Sequence, residues 1–278
     1  MAVGGRAERF VVIAHRGDQD AAPENTLDAF GAAVRSGFPH FEFDVQLSKD
    51  GIAVVIHDDL VDRTAAEGCS GLVGELTLEE LAVVPLRNAG EYQPADWRIP
   101  TLRSLLEQFA GVAHLHLELK STQADLARVV FEELGETGWL DAVEERGMVV
   151  APGVTITSFI LGQLQASLPL YGSKKRVRHM WLVSDATPEV VSTAVGNGLA
   201  GVSPTCAAGG RSLAVALEAL TEQVERIRSE GLECRCWGVG GLGEVGEGNL
   251  RRAVAAGAQG TTVDWPVRAR ALLASARL

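Results

Sequence analysis

Short β-rich runs alternate with helical stretches along most of this chain, and that alternation restricts the fold more than any other feature. Strand candidates fall at 10–15, 41–45, 113–119, 153–157, 179–183, 201–203, 233–239 and 260–263. Helical patterns at 26–36, 101–109, 125–137, 160–167, 188–197, 213–230 and 249–256 fill the intervals. Strands joined through crossover helices pair in parallel. Eight such units in 278 residues fit a closed TIM (β/α)8 barrel better than an open sheet, and 46% apolar content supplies a large core. The expectation is an α/β chain forming one barrel domain over 1–278.

The second strand leads into a hairpin. Residues 41–47 alternate apolar and polar, which sets Glu42 and Asp44 on one face. Asp50-Gly51 is the pair favoured in a two-residue type I′ turn, and 52–56 reads as the returning strand. In that register position 49 faces 52 and Asp44 faces His57, with Cβ atoms about 5 Å apart. The run from 59 to 100 is too long for a plain connection, and its helical piece at 77–83 opens on the capping-box pattern Thr77-x-x-Glu80. A small insert over the barrel follows, with Leu72, Val73, Leu76, Leu78, Leu81, Val83 and Val84 packed inward.

A TIM barrel carries its chemistry at the C-terminal ends of its strands. His15 and Arg16 end the first, Glu42 and Asp44 lie late in the second, and Glu118 with Lys120 ends the third. Trp237 and Asp264 close the last two, so all these side chains are expected on one rim. Glu42, Asp44 and Glu118 are hard oxygen donors, suited to Mg²⁺ or Ca²⁺. Three crowded carboxylates without a cation would raise one another's pKa values at a cost in stability. Arg16 and Lys120 are donors suited to phosphate oxygens. His15 and His57 beside such a site are the candidate general acid and general base, because imidazole titrates near neutral pH.

Charge and cysteine content narrow the partners. The net charge of −11 disfavours nonspecific binding to nucleic acid or an anionic membrane surface, so an anionic substrate needs a local cationic site. Cys69, Cys206, Cys234 and Cys236 lack C-x-x-C spacing and read as reduced structural thiols. No apolar run has the length of a membrane span, and residues 1–10 lack a signal-peptide core; the expectation is a cytoplasmic protein without stable membrane association. Oligomeric state is not readable from these patterns.

Taken together, His15-Arg16-Gly17, Pro23-Glu24-Asn25-Thr26, Glu42-x-Asp44-Val45, Lys49-Asp50-Gly51 and His57-Asp58 resemble the motifs of the glycerophosphodiester phosphodiesterases. The likeness continues through Asp62-Arg63-Thr64, Ile99-Pro100-Thr101-Leu102, Glu118-x-Lys120, Ser158-Phe159 and the segment 260–266 with Asp264. The resemblance implies a TIM barrel, a divalent metal at Glu42, Asp44 and Glu118, and acid and base roles for His15 and His57. It also implies phosphate contacts from Arg16 and Lys120, a glycerol pocket walled by Trp237, and hydrolysis of small-molecule glycerophosphodiesters to glycerol 3-phosphate and an alcohol. The chain departs from that pattern after Trp237-Gly238-Val239, where Gly240 replaces the family's usual asparagine. Glycines and acids over 241–248 read as a mobile rim. The same residues also fit a related lipid phosphodiesterase or a non-catalytic barrel that binds polyol phosphates.

Overall fold

Alternation along Phe41-Glu42-Phe43-Asp44-Val45 sorts one strand into an aromatic outer face and an acidic inner face. Phe41, Phe43 and Val45 are fully buried in the layer between strands and helices, where Phe41 stacks on Phe30 with ring centroids 4.7 Å apart. Glu42, Asp44 and Gln46 are buried on the inner side of the same strand. The computed structural model describes residues 10–87, 97–140, 144–145, 148–149, 153–172, 177–241 and 243–275.

In chain order the elements are β1 (Val11–His15), α1 (Leu27–Arg35), β2 (His40–Leu47), β3 (Ala53–Val55), α2 (Leu78–Ala82), α3 (Leu102–Gln108), β4 (His114–Leu119) and α4 (Leu126–Glu136). They continue with a two-residue-arm hairpin, β5 (Glu144–Glu145) and β6 (Met148–Val149), then β7 (Val154–Ser158), α5 (Leu161–Tyr171), β8 (Val177–Val183) and α6 (Pro188–Gly196). Last come β9 (Gly201–Pro204), α7 (Leu213–Ser229), β10 (Glu233–Cys234), α8 (Glu244–Ala255), β11 (Gly260–Val263) and α9 (Pro266–Ser275). Helix starts follow the capping rule: the side chains of Thr26, Thr101, Thr187 and Ser212 each accept from a backbone N–H in the first turn, and Thr77 with Glu80 forms the expected capping box.

Eight parallel strands run in the order β10-β9-β8-β7-β4-β2-β1-β11, the nearly closed wall of a (β/α)8 barrel. The two ends of that path meet through the isolated Cys236↔Thr261 bridge and the bonds Cys236 N–H to Gly260 O (2.8 Å) and Gln259 N–H to Cys234 O (2.7 Å). The β2–β4 ladder is far longer, pairing His40 through Val45 with His114 through Leu119. The strand expected over 233–239 is thus a two-residue strand followed by single bridges at Cys236 and Trp237. Among the described residues no helix is long and apolar enough to cross a membrane.

The hairpin register differs from expectation by one residue. Val45 pairs with Val55, Gln46 with Val54 and Leu47 with Ala53, so Asp44 lies opposite Ile56 rather than His57. The cause is the turn. Gly51 N–H donates to Ser48 O at 3.0 Å and Gly51 sits at φ +80°, which makes a three-residue loop of Lys49, Asp50 and Gly51 in place of the two-residue turn. A slip of one residue would turn His57 away from the acids, but the ladder ends at Ile56, whose N–H donates to Asp44 O at 3.0 Å. The chain then leaves the ladder, and the buried Gln46 amide donates to the carbonyls of Ile56, His57 and Asp58 at 2.9–3.1 Å.

The insert over 59–87 has its own small core: Val61, Val73, Leu81 and Val84 are buried against Val54 and Ile56. Leu76 and Leu78 pack on its edge, whereas Leu72 and Val83, also expected inside, are exposed. Residues 243–248 are not a loose rim, because α8 begins at Glu244. Gly246 is required there, since a Cβ would lie 2.1 Å from Gly241 O. Glycine's low helix propensity had hidden this first turn from the sequence pattern.

Replacing Phe41 by alanine leaves a void among Phe30, Phe43 and Phe109 at the centre of this layer. Urea unfolding should show a loss of about 3–5 kcal/mol for Phe41→Ala.

Candidate active site

Barrel register brings the polar residues together. His15 pairs with Glu42 across β1–β2, and Asp44 pairs with Glu118 across β2–β4. Glu42, Asp44 and Glu118 are buried, and each offers a carboxylate oxygen within 4.8 Å of the others. His15, Arg16, Glu42, His57, Glu118, Lys120 and Trp237 all line one cavity of about 240 Å³ at the C-terminal ends of the strands; Asp44 lies just behind that lining. Every residue singled out from the sequence is therefore at this one rim.

The turn after β1 is tightly constrained. Arg16 takes φ +57° and Asn25 φ +58°, left-handed conformations that cost a non-glycine residue roughly 1–3 kcal/mol each. They are held by Arg16 N–H to Glu42 O and Asn25 N–H to Arg16 O, both 2.9 Å. Gly17 completes the turn because a Cβ at that position would sit 2.6 Å from the Ala29 backbone. The bend swings the Arg16 guanidinium inward, with Nε 3.3 Å from Asp44 Oδ2 and Nη1 2.8 Å from Glu24 Oε1. Asn25 Nδ2 donates to the same Asp44 oxygen at 3.0 Å. Lys120 Nζ lies 3.1 Å from Glu118 Oε1 and 3.6 Å from Asp44 Oδ1.

These charges do not neutralise one another. Burial pushes the Glu42 carboxyl well above the usual carboxylate range, and the Asp44 and Glu118 charges push it further. Glu118 is pushed up to about 7, first by burial and then by Asp44, with Lys120 opposing. Burial also works to raise Asp44, but Arg16, His57, Lys120 and the Asn25 hydrogen bond outweigh it and hold that carboxyl below its ordinary value. Burial works to lower Lys120, yet Glu118 and Asp44 keep its pKa raised, so it stays an ammonium rather than an amine nucleophile. Glu42 Oε2 and Asp44 Oδ1 are buried without a hydrogen-bond partner. Orphaned carboxylate oxygens and an all-oxygen donor set fit a hard divalent cation.

Each histidine is oriented by a carboxylate. His15 Nδ1 is 2.5 Å from Asp264 Oδ1, which leaves Nε2 facing Glu42 Oε2 at 3.9 Å. His57 Nδ1 is 2.5 Å from Asp58 Oδ1. Because a carboxylate only accepts, both rings carry their hydrogen on Nδ1 and present Nε2 as the free base position. Burial lowers the His57 pKa, with Arg16 and Lys120 adding to the effect against Asp44 and Asp58. On the far wall Trp237 donates from Nε1 to Val183 O at 2.8 Å, and Phe159 meets it edge-on with centroids 4.9 Å apart. Gly240 also lines the cavity, and its carbonyl accepts from Trp265 Nε1 at 3.2 Å.

Asp58, Asp264, Glu24, Arg63, Asn25 and Phe159 stand in the sequence motifs with no task that the motifs alone assign. For Asp58 the signal was adjacency to His57; the other partners depend on pairings made only in three dimensions. A second histidine group, His40, His114 and His116, gathers toward the opposite ends of β2 and β4, with His116 and Arg235 at the inner end of the same cavity. Arg235 Nη1 stands 3.1 Å from His116, and both His114 ring nitrogens are engaged, by Thr155 Oγ1 and the Gly153 N–H. That surrounding disfavours a cation. All four cysteines are unpaired.

Comparison with known proteins gives a consistent result. The sequence model of the glycerophosphoryl diester phosphodiesterase family matches residues 15–267. A glycerophosphodiester phosphodiesterase from Caldanaerobacter subterraneus is 44% identical over 114 residues, covering 41% of this chain and 46% of that protein, so the match spans about half of the relative's length. One from Bacillus subtilis is 28% identical over 206 residues, 69% of this chain and 68% of that one. The solved structure of an Oleispira antarctica phosphodiesterase in complex with the product sn-glycerol-3-phosphate superposes with a TM-score of 0.76 at 24% identity, covering 95% and 97% of the two chains; this likeness is one of fold.

The acid cluster yields a pH-dependent stability. A carboxyl whose folded pKa is raised stabilises the fold while protonated, below its unfolded value near 4.5, and loses that contribution as pH rises through about 7. With chelator present, thermal unfolding should therefore show this contribution draining away from pH 5 to pH 8. Added Mg²⁺ or Ca²⁺ should raise the melting temperature more at pH 8 than at pH 5.5, where the ion must displace a proton.

Proposed function

This chain belongs to the glycerophosphoryl diester phosphodiesterase family, and from that membership we propose that it hydrolyses glycerophosphodiesters to glycerol 3-phosphate and an alcohol in a metal-dependent reaction. The observation that carries the reading is the cavity in which two carboxylate-oriented imidazoles share a rim with two cations and three clustered acids, two of which, Glu42 and Asp44, keep a buried oxygen without a hydrogen-bond partner. A phosphodiester needs that combination: positive charge for the phosphoryl oxygens, and one proton acceptor and one donor for the attacking and leaving oxygens.

In this reading Glu42, Asp44 and Glu118 hold the divalent ion, Mg²⁺ or Ca²⁺, which supplies Lewis-acid stabilisation of phosphoryl charge when bound. Arg16 and Lys120 contact the phosphate oxygens, and Trp237 walls the glycerol. One histidine takes the proton of the neighbouring glycerol hydroxyl at Nε2, and that hydroxyl attacks phosphorus. The other histidine protonates the departing alcohol, leaving a cyclic phosphate. Water then opens the ring with the two histidines in exchanged roles, which returns both to their starting state and yields glycerol 3-phosphate.

We read 1–278 as one catalytic unit in which 59–100 is an insert beside the mouth. The acidic balance supports a small-molecule partner rather than nucleic acid or a membrane surface. Four unpaired cysteines support a reducing compartment such as the cytoplasm.

Release of glycerol 3-phosphate from glycerophosphocholine tests the reading. Chelator should abolish turnover and added Mg²⁺ or Ca²⁺ restore it, while His15→Ala and His57→Ala should each cost roughly 10²- to 10⁴-fold in kcat. Near-normal turnover in both variants would refute the assignment, and faster cleavage of intact lysophospholipids than of headgroup diesters would move the substrate class to lipids.

A further inference from the structure

The proposed reaction uses Arg16 and His57 but gives no task to the guanidinium that joins them. Arg63 donates to Glu24 through two parallel bonds, Nη1 to Oε2 (2.6 Å) and Nη2 to Oε1 (2.7 Å). It also donates to Asp58, from Nε to Oδ2 (2.5 Å) and Nη2 to Oδ1 (3.2 Å). Glu24 Oε1 in turn accepts from Arg16 Nη1, and Asp58 Oδ1 from His57 Nδ1. The result is an unbroken path, Arg16–Glu24–Arg63–Asp58–His57, running from the phosphate-facing cation to a proton-transfer group.

Resting on that functional reading, we propose that Arg63 is a positioning residue that locks the Asp58–His57 pair to the Glu24–Arg16 pair, fixing imidazole and guanidinium at a set separation across one phosphate.

Four features of the structure favour this over a simple surface tie. The backbone does not hold His57 in the sheet, since the ladder ends one residue earlier, at Ile56 N–H to Asp44 O. Glu24 lies in the loop before α1, so the path joins two loops that, among the described residues, no other side-chain hydrogen bond links at this point. The Arg63 side chain is 48% exposed, so its ion pairs add little stability in water, whereas a planar fork bound to two carboxylates gives geometry. The Arg63 carbonyl is itself gripped by Arg87 Nε (3.0 Å) and Nη2 (2.8 Å), which fixes the guanidinium's origin. Burial works to raise both Asp58 and Glu24, and the Arg63 bonds outweigh it, with Asp58 brought down to about 2; both partners stay anionic at neutral pH.

The test combines kinetics with a readout that needs no turnover. Proton NMR should show a downfield Nδ1–H resonance for His57, assigned by its disappearance in His57→Asn. Arg63→Ala should broaden or shift that resonance and lower kcat on glycerophosphocholine about 10- to 100-fold with KM little changed, the scale of a misplaced catalytic group. Arg63→Lys should recover only part, since an ammonium cannot fork to both carboxylates, and added guanidinium ion should partly rescue Arg63→Ala. In an Asp58→Ala background the Arg63→Ala change should cost nothing further. Arg128→Ala, which removes a comparable exposed bridge to Asp125 and Glu132, controls for loss of a surface ion pair and should leave the resonance unmoved. An unaltered His57 resonance in Arg63→Ala, or effects of Arg63→Ala and Asp58→Ala that multiply, overturns the proposal. A wild-type protein inactive on glycerophosphodiesters defeats the functional reading alone, and the NMR comparison still decides the role of Arg63.

Discussion

Three carboxylates closed into one end of a barrel repel one another, and most of the polar architecture answers that repulsion. Asp44 stays ionised because Arg16, Lys120 and Asn25 converge on it, which leaves Glu42 and Glu118 to absorb the strain as raised pKa values. Neither cation relieves all three acids, since Lys120 bonds Glu118 and Arg16 is shared with Glu24. The site is therefore short of positive charge by construction, a condition that favours a divalent ion and then an anionic group coordinated beside it. The left-handed Arg16 and Asn25 are part of the same balance, as strained backbone that aims side chains at Asp44.

The sheet delivers the acids and His15, while Arg16, Asn25, His57 and Lys120 stand in the segments that follow its strands. Parallel register puts His15 beside Glu42 and Asp44 beside Glu118, and the two-residue period of each strand turns those side chains inward while Phe41, Phe43 and Val45 turn outward. These relations were legible in the sequence because they depend only on alternation and on strands ending where their polar residues begin. Barrel, acid cluster, cations and His15 all follow from that local grammar.

What escaped the sequence depends on choices that local pattern leaves open. Asp50-Gly51 fits a two-residue turn as well as the last two positions of a three-residue loop, and the longer loop moved the hairpin register by one. His57 nonetheless reaches the cavity, because Gln46 supports a segment that has already left the ladder. Asp264 is 249 residues from the histidine it orients, and Glu24 is 39 from Arg63; neither pairing has a period to betray it. The first turn of α8 was concealed by glycines, of which Gly246 is there for close packing on Gly241.

The seam between β10 and β11 gives the barrel an uneven stiffness. The acids stand on the long, continuous ladder between β2 and β4, while Trp237 and Asp264 flank the place where the wall is stitched by isolated bonds around Cys236 and Gly260. Sparse stitching lowers the free energy of local opening. The wall is stitched more sparsely beside the tryptophan than around the acids, so local opening is expected first on the tryptophan side while the carboxylate cluster keeps its shape.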